Sequence, residues 1–147
     1  MIWGCFGYNG RGALYFLKKG ETMRSGNYSN MLKEKLPSFM NILQCTTFQQ
    51  DSAPCHKAKI VMKWLNDNYN VLEWPGNSPD LNPIENVWMK MKKQVAEKKP
   101  QNLEDLKKII TDVWTKEIDV EYCQNLINSM PKRIKNVIKN KGYPTKY

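Results

Sequence analysis

Apolar positions recur along this chain with two spacings, one suited to strands and one to helices. Two aromatic-rich runs, residues 2–7 and 12–18, flank Tyr8-Asn9-Gly10-Arg11, and Asn-Gly between such runs predicts a β-hairpin. Tyr28, Met31, Leu32 and Leu36 then follow helical spacing; Pro37 is expected to interrupt that helix, with Phe39, Ile42 and Leu43 continuing its apolar face. A short β-prone stretch, residues 45–50, is stopped by Ser52-Ala53-Pro54. A helix over about 57–68 should turn Ile60, Val61, Trp64 and Leu65 inward, and a second short strand, residues 70–74, stops at Pro75-Gly76. The next helix carries Ile84, Val87, Trp88, Met91 and Val95 on one face. Asn102 is placed to cap a helix whose apolar face is Leu103, Leu106, Ile110, Val113 and Trp114. A last helical region, from Val120 through Cys123, Leu126, Ile127 and Met130, breaks or kinks at Pro131. It resumes with Ile134, Val137 and Ile138 and ends at Gly142-Tyr143-Pro144.

Strands separated by amphipathic helices indicate the α/β class, and 147 residues suffice for one domain with a real core. Apolar residues make up 41% of the chain, which favours a folded core over disorder. No apolar run approaches the roughly 18 residues of a membrane span, and Met1-Ile2-Trp3-Gly4-Cys5 lacks a basic leader, so neither membrane nor secretion is expected. The four cysteines show no paired metal-ligand spacing. The net charge of +9 is uneven: nine basic and seven acidic residues lie in 1–85 (+2), and fourteen and seven in 86–147 (+7). From Tyr122 onward there are six basic residues and no acid, a distribution that favours a polyanion partner.

The chemistry lies at the ends of the predicted strands. Asp51 closes the first, and a right-handed crossover through the intervening helix would lay the second strand beside it. Glu85 opens the helix leaving that edge, where open α/β sheets place their sites. Two carboxylates brought together in this way suit Mg²⁺, which takes oxygen ligands and is commonly completed by water and phosphate oxygens. Phosphodiester chemistry often uses two such ions, so nucleic-acid cleavage or joining is implied. Each acid also has a purely structural reading. Asp51 could cap the following helix, and Glu85, third after Asn82-Pro83, occupies a capping-box position. Asp80 reads as a turn or cap residue. His56 is a candidate contact to DNA phosphate, with Lys90 and Lys93 on the Glu85 helix and Lys132, Arg133, Lys135, Lys139 and Lys141 near the carboxyl end. The alternative for this last group is a solvated face, and the runs 90–99 and 132–141 also read weakly as nuclear-import signals.

FQQDSAPCHKAK (48–59) and WPGNSPDLNPIENVW (74–88) resemble the second and third carboxylate blocks of the Tc/mariner DNA transposases. WGCFGYNGRGAL (3–14) resembles the block that precedes them, and SMPKRIKNVIKNKGYPTKY (129–147) the family's carboxyl end. The resemblance implies a ribonuclease-H-like mixed sheet flanked by helices, with an Asp-Asp-Glu or Asp-Asp-Asp triad in which Asp51 is the second acid and Glu85 the third. It also implies a two-ion Mg²⁺ or Mn²⁺ site, DNA as partner, and cleavage at transposon ends with strand transfer to target DNA; reduced cysteine thiols fit the cytosol or nucleus, and a nuclear location is expected. The gap between the acids, 85 − 51 − 1 = 33 residues, is slightly short for this branch, and a tight helix-to-strand connection near Asn68 would absorb the difference.

The family's first acid lies on a central strand before the WGCF block, for which residues 1–147 offer no candidate. The expectation is a single partial catalytic domain: a hairpin (1–20), a carboxylate-bearing core (45–99) and a basic helical carboxyl-terminal region (100–147). With the central strand missing, residues 2–18 should re-pair with residues 45–50 or be poorly anchored. The chain alone is expected not to cleave DNA. The alternatives are a non-catalytic remnant that binds DNA or pairs with itself or a full-length transposase, and an incomplete gene product whose upstream segment holds the missing acid.

Overall fold

The computed structural model of the chain describes residues 1–76 and 78–143, so the expected terminator Pro144 lies outside the described residues. The chain divides into two compact units, residues 1–4 with 15–77 and residues 5–14 with 78–147. Strands β1 (Ile2–Gly7) and β2 (Gly10–Phe16) form a two-stranded hairpin sheet. Its reversal uses Tyr8-Asn9, and positive φ falls on Gly10 alone (φ 130), the residue type that tolerates it.

In the first unit, α1 (Ser25–Ile42) packs on α2 (Lys59–Asn68). Strands β3 (Thr47–Phe48) and β4 (Asn70–Val71) pair in parallel, with Thr47 opposite Asn70 and Phe48 opposite Val71. The core comprises Tyr28, Met31, Leu32, Leu36, Met40, Phe48, Val61 and Leu65, with Trp3 and Tyr15 of the hairpin packed against it. Only Tyr69 separates α2 from β4, the tight connection expected near Asn68.

Three details differ from expectation. Helix α1 runs through Pro37 without ending. Proline removes one helical hydrogen bond, but Leu32, Leu36 and Met40 on its buried face hold both halves to the core. Ile42 and Ile60, expected inward, are 71% and 54% exposed, because Met40 and Leu43 end the buried stripe of α1 and Val61 and Leu65 form that of α2. Helix α1 closes with Cys45 N–H on Met40 O (2.8 Å) and Gln44 N–H on Asn41 O (3.0 Å), which places the non-glycine Gln44 at φ 52.

The second unit is helical: α3 (Pro83–Lys98), α4 (Leu103–Glu117), α5 (Val120–Asn128) and α6 (Met130–Lys139), preceded by a 3-10 turn, Pro79–Leu81. Val87, Met91, Ile110, Val113, Trp114, Ile118 and Cys123 are buried. Asn102 caps α4 as expected, its side chain accepting from Asp105 N–H at 2.8 Å, and Asp119 caps α5 in the same way. The break between α5 and α6 falls at Ser129, which places Pro131 in a first turn that needs no N–H from it.

The hairpin corrects another expectation. Among the described residues it pairs with no further strand, and the two sheets are separate rather than one mixed sheet. It is nevertheless well anchored, through side chains instead of a ladder. Trp114 Nε1–H donates to Gly12 O (2.9 Å), Arg11 Nη1 donates to Ile118 O (2.8 Å), and Leu17 is buried. No described helix is long and apolar enough to cross a membrane.

Candidate functional site

Asp51 lies just beyond β3 in the first unit. Because β3 and β4 are parallel, their carboxyl ends share one edge, and a Cβ placed on Gly76 beyond β4 would lie 4.0 Å from Ser52 Oγ. Asp51 Oδ1 accepts Ala53 N–H (3.0 Å), a local turn bond. The same oxygen lies 2.5 Å from His56 Nδ1. The His56 ring stacks on Tyr28 at 4.3 Å between centroids. Tyr28 Oη donates to Gln50 Oε1 (2.8 Å), and Gln50 Nε2 donates to the His56 carbonyl (3.2 Å). This small network sets the His56 ring against one oxygen of Asp51. The other oxygen, Oδ2, has no partner among the described residues, and Asp51 is exposed.

Glu85 belongs to the second unit. Asn82 takes the N-cap position of α3 and Pro83 its first helical position, as the sequence predicts. The capping box does not form. Asn82 N–H donates to Pro79 O (3.1 Å), Glu85 N–H to the Asn82 backbone carbonyl (3.1 Å), and the Asn82 side chain caps nothing. Asn82 is 5% exposed and its Oδ1 is buried without a hydrogen-bond partner among the described residues. The Glu85 carboxylate, half-buried in the first turn, is engaged by no described side chain or N–H.

The predicted basic contacts separate into two groups. Lys93, Lys132, Lys135, Lys139 and Lys141 are exposed. Lys90 is drawn into the fold: Nζ donates to Glu117 O (3.0 Å), pairs with Glu117 Oε2 (3.4 Å) and sits 4.5 Å over the Tyr122 ring. Arg133 departs furthest from expectation. It is 2% exposed and donates to Ser129 Oγ (2.8 Å), Asp80 O (2.9 Å) and Asn86 Oδ1 (2.8 Å), so burial removes its guanidinium from any phosphate at the surface. The sequence offered one signal, since Arg133 is the arginine in a run of lysines and a planar fork suits buried, multiply bonded positions. His56 is held by Asp51 and Tyr28 rather than projecting freely.

Among the described residues no three His, Cys, Asp or Glu side chains gather into a ready-made metal cage. The donor chemistry still fits a hard divalent cation. Asp51 and Glu85 each retain carboxylate oxygen that no described group uses, and such ions are commonly held by one or two carboxylates with water and phosphate oxygens completing the shell.

The fold is ribonuclease-H-like: the structure superimposes on the Mos1 transposase catalytic domain, solved with raltegravir and Mg, with a TM-score of 0.87 at 24% identity, over 99% of this chain and 76% of that one. The chain belongs to the DDE superfamily endonuclease family, whose sequence profile matches residues 2–107. It is 36% identical over 150 residues to the transposable element Tcb1 transposase of Caenorhabditis briggsae, covering 100% of this chain and 54% of that protein. The Mos1 mariner paired end complex with Mn matches with a TM-score of 0.85 at 26% identity, over 99% of this chain and 44% of that one. The chain thus spans about half the length of the curated relatives it matches.

Proposed function

We propose that this chain is catalytic-domain material of a cut-and-paste DNA transposase, in which Asp51 and Glu85 hold Mg²⁺ or Mn²⁺ against the phosphodiester backbone of a transposon end. The observation that carries the reading is the Glu85 carboxylate. It stands in the first turn of α3, unengaged by the cap that would give it a structural role, in a chain belonging to the DDE superfamily endonucleases. Bound there, a divalent cation would supply Lewis-acid stabilisation of phosphate charge. The chain's own side chains hold and orient: Asp51 offers Oδ2 while His56 and the Ala53 amide fix Oδ1. The exposed Lys93, Lys132, Lys135, Lys139 and Lys141 attract the DNA backbone.

A second reading, a module that binds DNA or joins a further transposase chain, is favoured by the exposed lysines of α6. Nuclear location, assembly with a second copy and a two-ion site belong to the same proposal, and the similarity to a Mos1 paired end complex with Mn supports the metal and assembly parts.

Fluorescence anisotropy of a labelled DNA duplex tests the reading. Mn²⁺ should tighten binding of the wild-type chain and leave Asp51→Asn and Glu85→Gln unimproved. Equal Mn²⁺ enhancement in all three proteins would contradict it.

A further inference from the structure

The turn that presents Glu85 lacks its usual local fastening. Neither half of the capping box is made, and the Asn82 amide oxygen is left buried and unpartnered among the described residues, which is destabilising. Backbone bonds from Asn82 N–H to Pro79 O and from Glu85 N–H to the Asn82 carbonyl shape the bend, and a side-chain fastening comes from elsewhere in the unit. Arg133 is placed to supply it: Nη1 donates to Asp80 O before the bend and Nη2 to Asn86 Oδ1 immediately after Glu85, while Nε is held by Ser129 Oγ on its own chain segment. A planar guanidinium fixes its two terminal nitrogens relative to each other, so bonding both flanks of the bend restricts the position of the residue between them. Burial makes those bonds costly to break, since each broken bond leaves a polar group out of water.

Resting on the function proposed above, we infer that Arg133 is a positioning residue for Glu85: it sets the metal-holding carboxylate through Asp80 and Asn86 and does not contact DNA. This assigns the conspicuous arginine of the carboxyl-terminal basic run to the acid site, more than forty positions away in sequence.

The test measures Mn²⁺ binding to the chain with a short DNA duplex, by loss of the free-ion paramagnetic resonance signal, in variants that spare Arg133 itself. Asn86→Ala cuts the link beside Glu85 and should weaken Mn²⁺ binding about tenfold, the scale seen when groups that orient metal ligands are removed. Val113→Ala, a core variant of the same unit, should lower the melting temperature without that weakening. Glu85→Gln reports the site itself. Weakening in Glu85→Gln with wild-type binding in Asn86→Ala overturns the positioning role alone. Equal weakening in Asn86→Ala and Val113→Ala, in step with their melting temperatures, also overturns it. Wild-type binding in Glu85→Gln overturns the proposed function, and this inference with it.

Discussion

Asp51 Oδ1 and His56 Nδ1 lie 2.5 Å apart, and the same imidazole stacks on Tyr28 at 4.3 Å between centroids. One oxygen of the carboxylate is thereby held by the protein while the other stays available. Tyr28 is 1% exposed and donates its hydroxyl to Gln50. His56→Ala should destabilise the chain by about 1–3 kcal/mol, because the hydrogen bond and the ring stacking both disappear. Urea denaturation measures it, and an unchanged midpoint would show that the imidazole contributes nothing to the first unit.

Trp114 ties the hairpin tip to α4 through its indole N–H on Gly12 O, and it stacks on Trp88 at 6.1 Å. Trp114→Phe retains an aromatic ring but leaves that carbonyl without its donor, for an expected cost of about 1–2 kcal/mol. Hydrogen exchange should show faster opening of residues 10–14 in this variant. Exchange at the wild-type rate would mean that the hairpin is held by other interactions.

Cys123 is buried in α5, and burial pushes its thiol from 9.0 up to about 11. In the unfolded chain this thiol ionises near its usual value while the folded thiol keeps its proton. Stability is therefore unaffected below about pH 9 and falls as pH rises from 9 towards 11, since the unfolded state then releases a proton that the folded state retains. Thermal melts across that range should show the decline in wild type, and Cys123→Ala should show less of it after correction for its lower starting stability. An identical pH slope in both proteins would contradict this.

Charge on α6 should decide DNA affinity. Lys135 and Lys139 are exposed, so Lys135→Ala with Lys139→Ala should weaken binding and reduce the log–log salt slope by about 0.9 for each phosphate that is no longer neutralised. Salt titration followed by anisotropy measures both quantities. A variant with wild-type slope would place the DNA on another face.

Much of the fold is legible in the pattern of residues. The hairpin runs, the start of α3 at Pro83 and the Asn102 cap each depend on local chemistry, which neighbouring letters carry. The strands are shorter than β-propensity suggests: Gln49, Gln50 and Leu72 to Trp74 suit a pleated surface, yet a ladder also requires a partner, and only two residue pairs have one. Pro37 misleads for a related reason, because packing of α1 outweighs one missing bond. Arg133 and Lys90 carry the same charge as their basic neighbours in sequence; the acceptors Asn86 and Glu117 lie 47 and 27 residues away, and no local pattern identifies those partners. The positions of Asp51 and Glu85 at element ends are legible from local pattern, although the Asp51 link to His56 and the unfilled cap beside Glu85 emerge only from the folded structure.

Under the proposed function, Asp51 and Glu85 both hold the divalent cation. Mn²⁺ affinity measured with a DNA duplex for wild type, Asp51→Asn, Glu85→Gln and the double variant tests it most directly, because ligands of a shared site are coupled and ligands of separate sites are not. Each single variant should lose most of the affinity, and the double variant should lose little more than the worse single. Losses that add independently, or a single variant that binds as wild type does, would contradict it.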